Sequence, residues 1–105
     1  MKDITPKECP PLYANEGKSS TTTMVPVKLF LPGTGWTWYI TEYSPQQDTA
    51  FGWVDGLEAE LGYISLPELR DIRTPEGFAV ERDTHWNPDT SLAEVMSSSW
   101  EARTR

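Results

Sequence analysis

From Val25 to Leu31 apolar residues alternate, with Val25, Val27, Leu29 and Leu31 on one face and Lys28 and Phe30 on the other, the period-two signature of a half-buried strand. Pro26 cannot donate to a ladder, so its end of the strand reads as an edge or a first residue. Pro32-Gly33-Thr34-Gly35 turns the chain. A second alternating run, Trp36 to Tyr43, follows with Trp36, Trp38 and Ile40 on one face and Thr37, Tyr39, Thr41 and Tyr43 on the other. After the polar loop Ser44 to Thr49, Ala50 to Val54 sets Phe51 and Trp53 against Gly52 and Val54. Asp55-Gly56 suits a tight turn with positive φ, and Leu57 to Ile64 returns beside the third strand. Sequential strands pair most readily with their neighbours, so these four form a meander.

Two capping boxes mark helices. In Ser65-Leu66-Pro67-Glu68 the serine hydroxyl accepts from a first-turn amide and the helix runs through Ile72, ended by Thr74-Pro75-Glu76-Gly77. Ser91-Leu92-Ala93-Glu94 opens a terminal helix with Leu92, Val95 and Met96 as its apolar stripe. Ser97-Ser98-Ser99 is poor helix material, which leaves Trp100 either docked last or exposed near a frayed end. Phe78 to Arg82 offers one more short strand. The fold class is therefore α+β, a small antiparallel sheet of about four to five strands with two short helices.

At 105 residues the chain is sized for one domain. Residues 1–23, with Pro6, Pro10, Pro11 and the polar run Gly17 to Thr23, read as an N-terminal arm and linker in which Leu12 and Tyr13 are the anchors. Residues 24–100 form the domain and 101–105 a tail. Nine basic against sixteen acidic residues give a formal charge of -7, which repels phosphate backbones and points instead to a protein partner with a basic surface. The single cysteine, Cys9, excludes an internal disulfide and fits a reducing cytoplasm. No apolar run is long enough to span a bilayer and the first residues lack a secretory core.

Chemistry is thinly represented. One histidine, His85, beside Asp83 and Asp89 falls short of a zinc set, and Cys9 sits at no position that would activate a thiol, so no metal or cofactor is expected. Gly33-Thr34-Gly35 lacks the lysine and glycine spacing of a phosphate loop. Asp55, Glu58 and Glu60 are the acid–base candidates, since neighbouring carboxylates can divide donor and acceptor roles. The turn explains Asp55, however, and a solvated strand face explains the other two. The balance falls against an enzyme. Tyr39 and Tyr43, opposite the Trp36–Trp38 face, offer broad contact area with few rotors, or else a second packing layer. With Glu42, Asp55, Glu58 and Glu60 they make an acidic, aromatic binding surface; self-association is expected to be at most a weak homodimer.

These residues also carry a resemblance. Pro10-Pro11-Leu12-Tyr13, Trp36-Thr37-Trp38-Tyr39 with Glu42, Phe51-Gly52 before Val54-Asp55-Gly56, Glu60-Leu61-Gly62-Tyr63 before Ser65-Leu66 and Glu68-Leu69, and Glu81-Arg82-Asp83 with Pro88 and Leu92 resemble the bacterial domain-of-unknown-function family 2958 over residues 10 to 95. The resemblance implies a single-domain protein common on plasmids, phages and other mobile elements, and supplies no catalytic residues. Together with the charge it leads to the expectation of a non-enzymatic acidic protein-binding module that inhibits a host nucleic-acid-binding defence complex. The alternatives are a small carboxylate- or metal-dependent enzyme, or a structural or accessory protein.

Overall fold

The computed structural model describes residues 1–104. Five antiparallel strands and two helices follow in chain order: β1 (Val27–Phe30), β2 (Thr37–Ser44), β3 (Thr49–Asp55), β4 (Ala59–Ser65), α1 (Leu66–Asp71), β5 (Glu81–Arg82) and α2 (Leu92–Thr104). The sheet order is β4-β3-β2-β1-β5, so the expected meander is present and β5 adds to the far side of β1. The α+β class and its two short helices are as the periodicity predicted. Because β1 is covered on both sides, Pro26 marks the start of a strand and not an edge, and the long unpaired edge of the sheet is β4.

The two faces are filled differently. One carries the main core, in which Val27, Leu29 and Leu31 of the first strand region meet Trp38, Ile40, Ala50 and Ile64, closed by Leu66 and Leu69 of α1 and by Val80. Ile4 and Cys9 join this cluster. The N-terminal segment is therefore anchored by these two residues, whereas Leu12 is only half-buried and Tyr13 is exposed. A single turn at Thr5–Cys9 brings Cys9 inward, and Pro10 then accepts a bond from the Tyr43 amide (2.9 Å). Burial pushes the Cys9 thiol up to about 12, which keeps it neutral and unreactive.

On the opposite face Val25, Leu92 and Val95 form a smaller cluster, with Tyr39, Trp53, Trp86 and Met96 packed against it. Val25 was expected to share a face with Val27. The ladder begins only at Val27, and before Pro26 the chain is held elsewhere: the Val25 amide donates to Thr90 (2.8 Å) and its carbonyl accepts from the Trp86 indole (2.7 Å). The polar run Ser19 to Thr23 closes the start of α2. Ser20 and Thr23 carbonyls accept from the Ala93 and Leu92 amides, and the Ser91 hydroxyl accepts from Glu94, so three amides of the helix N-terminus are satisfied. Ser65 plays the same part for α1, accepting from Glu68. α2 runs unbroken through Ser97-Ser98-Ser99 to Thr104, because Ser99 turns inward and donates to Asp55 (2.8 Å), leaving Trp100 exposed. Arg105 lies outside the described residues.

Candidate functional site

An irregularity in β2 organises the surface of the thinner face. Ile40 pairs with Gly52 but Glu42 pairs with Phe51, so Thr41 is an extra residue, a bulge that reverses which face the following side chains take. Thr41 donates its hydroxyl to the Phe51 carbonyl (3.0 Å). The bulge requires a glycine opposite: a Cβ on Gly52 would lie 1.9 Å from the Tyr39 carbonyl oxygen. Tyr39 and Tyr43, expected on one face, are thereby separated. Tyr39 packs in the smaller cluster against Trp86, with Lys28 over both rings, while Tyr43 packs against the main core. Burial raises the Tyr39 hydroxyl pKa.

Past the bulge Glu42 lies on the Phe51 side, only 5% exposed. Its two oxygens accept from the Tyr13 amide (2.7 Å) and the Asn15 amide (3.0 Å), and Asn15 donates its side chain to Thr41. Expected as a surface acid, Glu42 is an internal clamp. Two charge-assisted bonds hold Tyr13 at φ 73°, a left-handed conformation that a bulky side chain adopts only when its surroundings fix it.

The consequence is an aromatic ladder. Tyr13 meets Tyr63 edge-on at 6.5 Å between centroids and Tyr63 meets Phe51 at 5.1 Å. A hydrogen bond with Tyr13 raises the Tyr63 hydroxyl pKa, and the nearby Glu42 and Glu16 charges add to it. Between this ladder and α2 opens a groove of about 310 Å³, walled by Phe51, Leu61, Leu92 and Met96 and rimmed by Glu16 and Lys18. Met96 continues it into a second hollow lined by Trp53, Ala59, Ser99, Trp100 and Glu58. Along the whole course large apolar groups stand open, Leu61 at 44%, Tyr63 at 60% and Trp100 at 69% exposure. The Trp53 indole N–H is buried on this side without an acceptor.

The acid–base trio does not assemble. Asp55 faces α2 through Ser99, whereas Glu60, paired with Val54, belongs to the face of the main core, and Glu58 rims the Trp100 hollow. Asp55-Gly56 also turns without positive φ. Gly56 is needed for a different reason, since a Cβ there would strike the Trp36 ring at 2.0 Å. Among the described residues no three of His, Cys, Asp or Glu cluster as a metal set, and exposed His85 donates its amide to Asp83. Of Glu81-Arg82-Asp83, the last two residues take part in ion pairs, Arg82 with Glu8 (3.1 Å for Nη1) and Asp83 with Lys28 (3.7 Å). Of the residues expected to form the surface, Glu58 borders this groove and Glu60 lies on the opposite side of the sheet, while Tyr13, Leu61, Tyr63, Met96 and Trp100 were not among them. The exposed pair Leu61 and Tyr63 on one side of an alternating strand was the available signal, masked because the same pattern describes a buried face.

Charge is distributed unevenly over this region. No lysine or arginine occurs between Lys28 and Arg70, a span holding Glu42, Asp48, Asp55, Glu58, Glu60 and Glu68 and all of β2, β3 and β4. No helix among the described residues is long and apolar enough to cross a membrane. A family model described as protein of unknown function (DUF2958) matches residues 4–103. Neither the curated proteins nor the solved structures contain a match.

Proposed function

Since the chain belongs to the DUF2958 family, whose description carries no activity, we propose from its own surface that it is a non-enzymatic, acidic protein-binding module. The observation that carries this reading is the apolar groove from Tyr13 to Trp100, left open beside the unpaired outer edge of β4, its wall from β3 and β4 coming from a stretch of sequence without lysine or arginine. Exposed aromatic and aliphatic groups grouped in a concavity are the usual anchors of a protein contact, and a net charge of -7 favours a partner of opposite sign. The partner of this reading is a basic surface of the kind that holds nucleic acid, in a host defence complex met by a mobile genetic element.

The test is affinity capture from the cells that carry the protein, using the wild type and the Leu61→Ser/Tyr63→Ser double variant, at about 0.1 M and about 0.5 M salt, where the Debye length falls from roughly 10 to 4 Å. A partner held by the wild type, lost with the double variant and weakened by salt is the expected result. Its DNA binding should fall when the module is added. A set of captured proteins indifferent to both the variant and the salt would remove the reading.

A further inference from the structure

The geometry points to the mode and the partner chemistry of that contact: β4 accepts an extended segment of another protein as a sixth strand, with basic and apolar residues alternating along it. This inference rests on the protein-binding reading and makes it specific. Its first support is the backbone. The Leu66 amide bonds to the Asp48 carbonyl (3.2 Å), which puts Gly62–Gly52 and Ile64–Ala50 among the hydrogen-bonded pairs of the antiparallel ladder. Leu61 and Tyr63 therefore turn their N–H and C=O groups outward, along a seven-residue edge. Edge strands are commonly blunted by lysine, proline or brevity, and β4 has none of these.

The second support is what flanks that edge. On one side stand Leu61 and Tyr63 at the mouth of the groove; on the other Glu60 and, from α1, Glu68 border a shallow hollow with Gly62 and Ile64. An added strand alternates its side chains between these two sides, so it meets apolar walls at one set of positions and carboxylates at the other. Main-chain bonds to Leu61 and Tyr63 would supply affinity, and lysine or arginine opposite Glu60 and Glu68 would supply register. A second copy of the chain does not fit. Its own edge offers acids and no cation, and each copy carries -7.

The experiment measures fluorescence anisotropy of a labelled peptide alternating lysine with valine or leucine over seven residues, against a scrambled peptide of equal composition and two N-methylated forms. In one form methyl groups occupy the odd amides, in the other the even ones. Strand addition requires that one N-methyl register weakens binding by about tenfold or more while the other changes it little, because only alternate amides face β4. It also requires that Glu60→Lys weaken the alternating peptide more than the scrambled one, and that bound peptide slow exchange of the Leu61 and Tyr63 amides. Equal effects of the two N-methyl registers, or equal binding of the scrambled peptide, would overturn strand addition. If a captured partner still depends on Leu61 and Tyr63, the protein-binding reading survives that outcome. Tyr63→Pro compared with Tyr63→Ala isolates the same outward amide on the protein side; should the proline variant not fold, the N-methyl registers decide alone.

Discussion

The two faces of one sheet have been finished to different standards. Over the main core α1 and the N-terminal segment leave Leu29, Ile40, Val27 and Leu66 with almost no solvent contact. Over the other face α2 covers only part of the sheet, and its cluster contains three fully packed residues helped by half-buried aromatics. The first face holds the fold together. The second spends its large side chains on walls around a groove, where burial would stabilise the chain but remove the surface. On the proposed reading, stability and binding would fall to different residues on opposite sides of the same strands, and substitutions should separate them.

The largest expected effect lies in the sealed core. Leu29→Ala should cost about 3 kcal/mol in urea unfolding, because a fully buried side chain leaves a cavity the surroundings only partly fill. A cost below that of the matching change at half-buried Met96 would break the distinction between the faces. Gly52→Ala comes next, at about 2 kcal/mol or more, since its Cβ would collide with backbone and not with a flexible side chain. If the bulge is what aims Glu42, the same variant should expose the amides of Tyr13 and Asn15 to exchange, read by NMR. Glu42→Ala should cost about 1 to 2 kcal/mol, releasing those two amides to water and freeing Tyr13 from its left-handed backbone. Unchanged protection of both amides would show that the clamp is dispensable.

A smaller effect tests the tie between the N-terminal segment and β5. Hydrogen bonds from the Arg82 guanidinium hold the Glu8 carboxyl down to about 2, from an ordinary value of 4.5. A depressed carboxyl stabilises the folded form above its unfolded value and loses that contribution as pH falls through the folded one, here from about 4.5 to 2. Glu8→Gln should be less stable than the wild type by about 1 kcal/mol at neutral pH after solvent screening, with the gap closing across that window. A gap constant with pH would assign the contribution to packing. Smallest of all, Leu61→Ser/Tyr63→Ser should move stability by only about 0.5 kcal/mol, since both side chains are largely open, while abolishing partner capture. A large loss of stability would make the groove part of the core.

Alternation, turns and capping serines are local properties, so the chain itself determined the antiparallel meander, the two helix starts at Ser65 and Ser91, and the overall α+β class. Its charge, and the gap in cations around β2 to β4, are likewise written in the residues. Tertiary structure alone decided which face each candidate took. One extra residue at Thr41 reverses the parity of everything after it, so Tyr39 and Tyr43 part company and Glu42 passes from supposed surface acid to buried clamp. Period-two patterning cannot register that reversal, because it assumes an unbroken pleat. Nor does it say whether an alternating strand is covered: Leu61 and Tyr63 have the pattern of a core face, and only the reach of α2 across the sheet leaves them in the open.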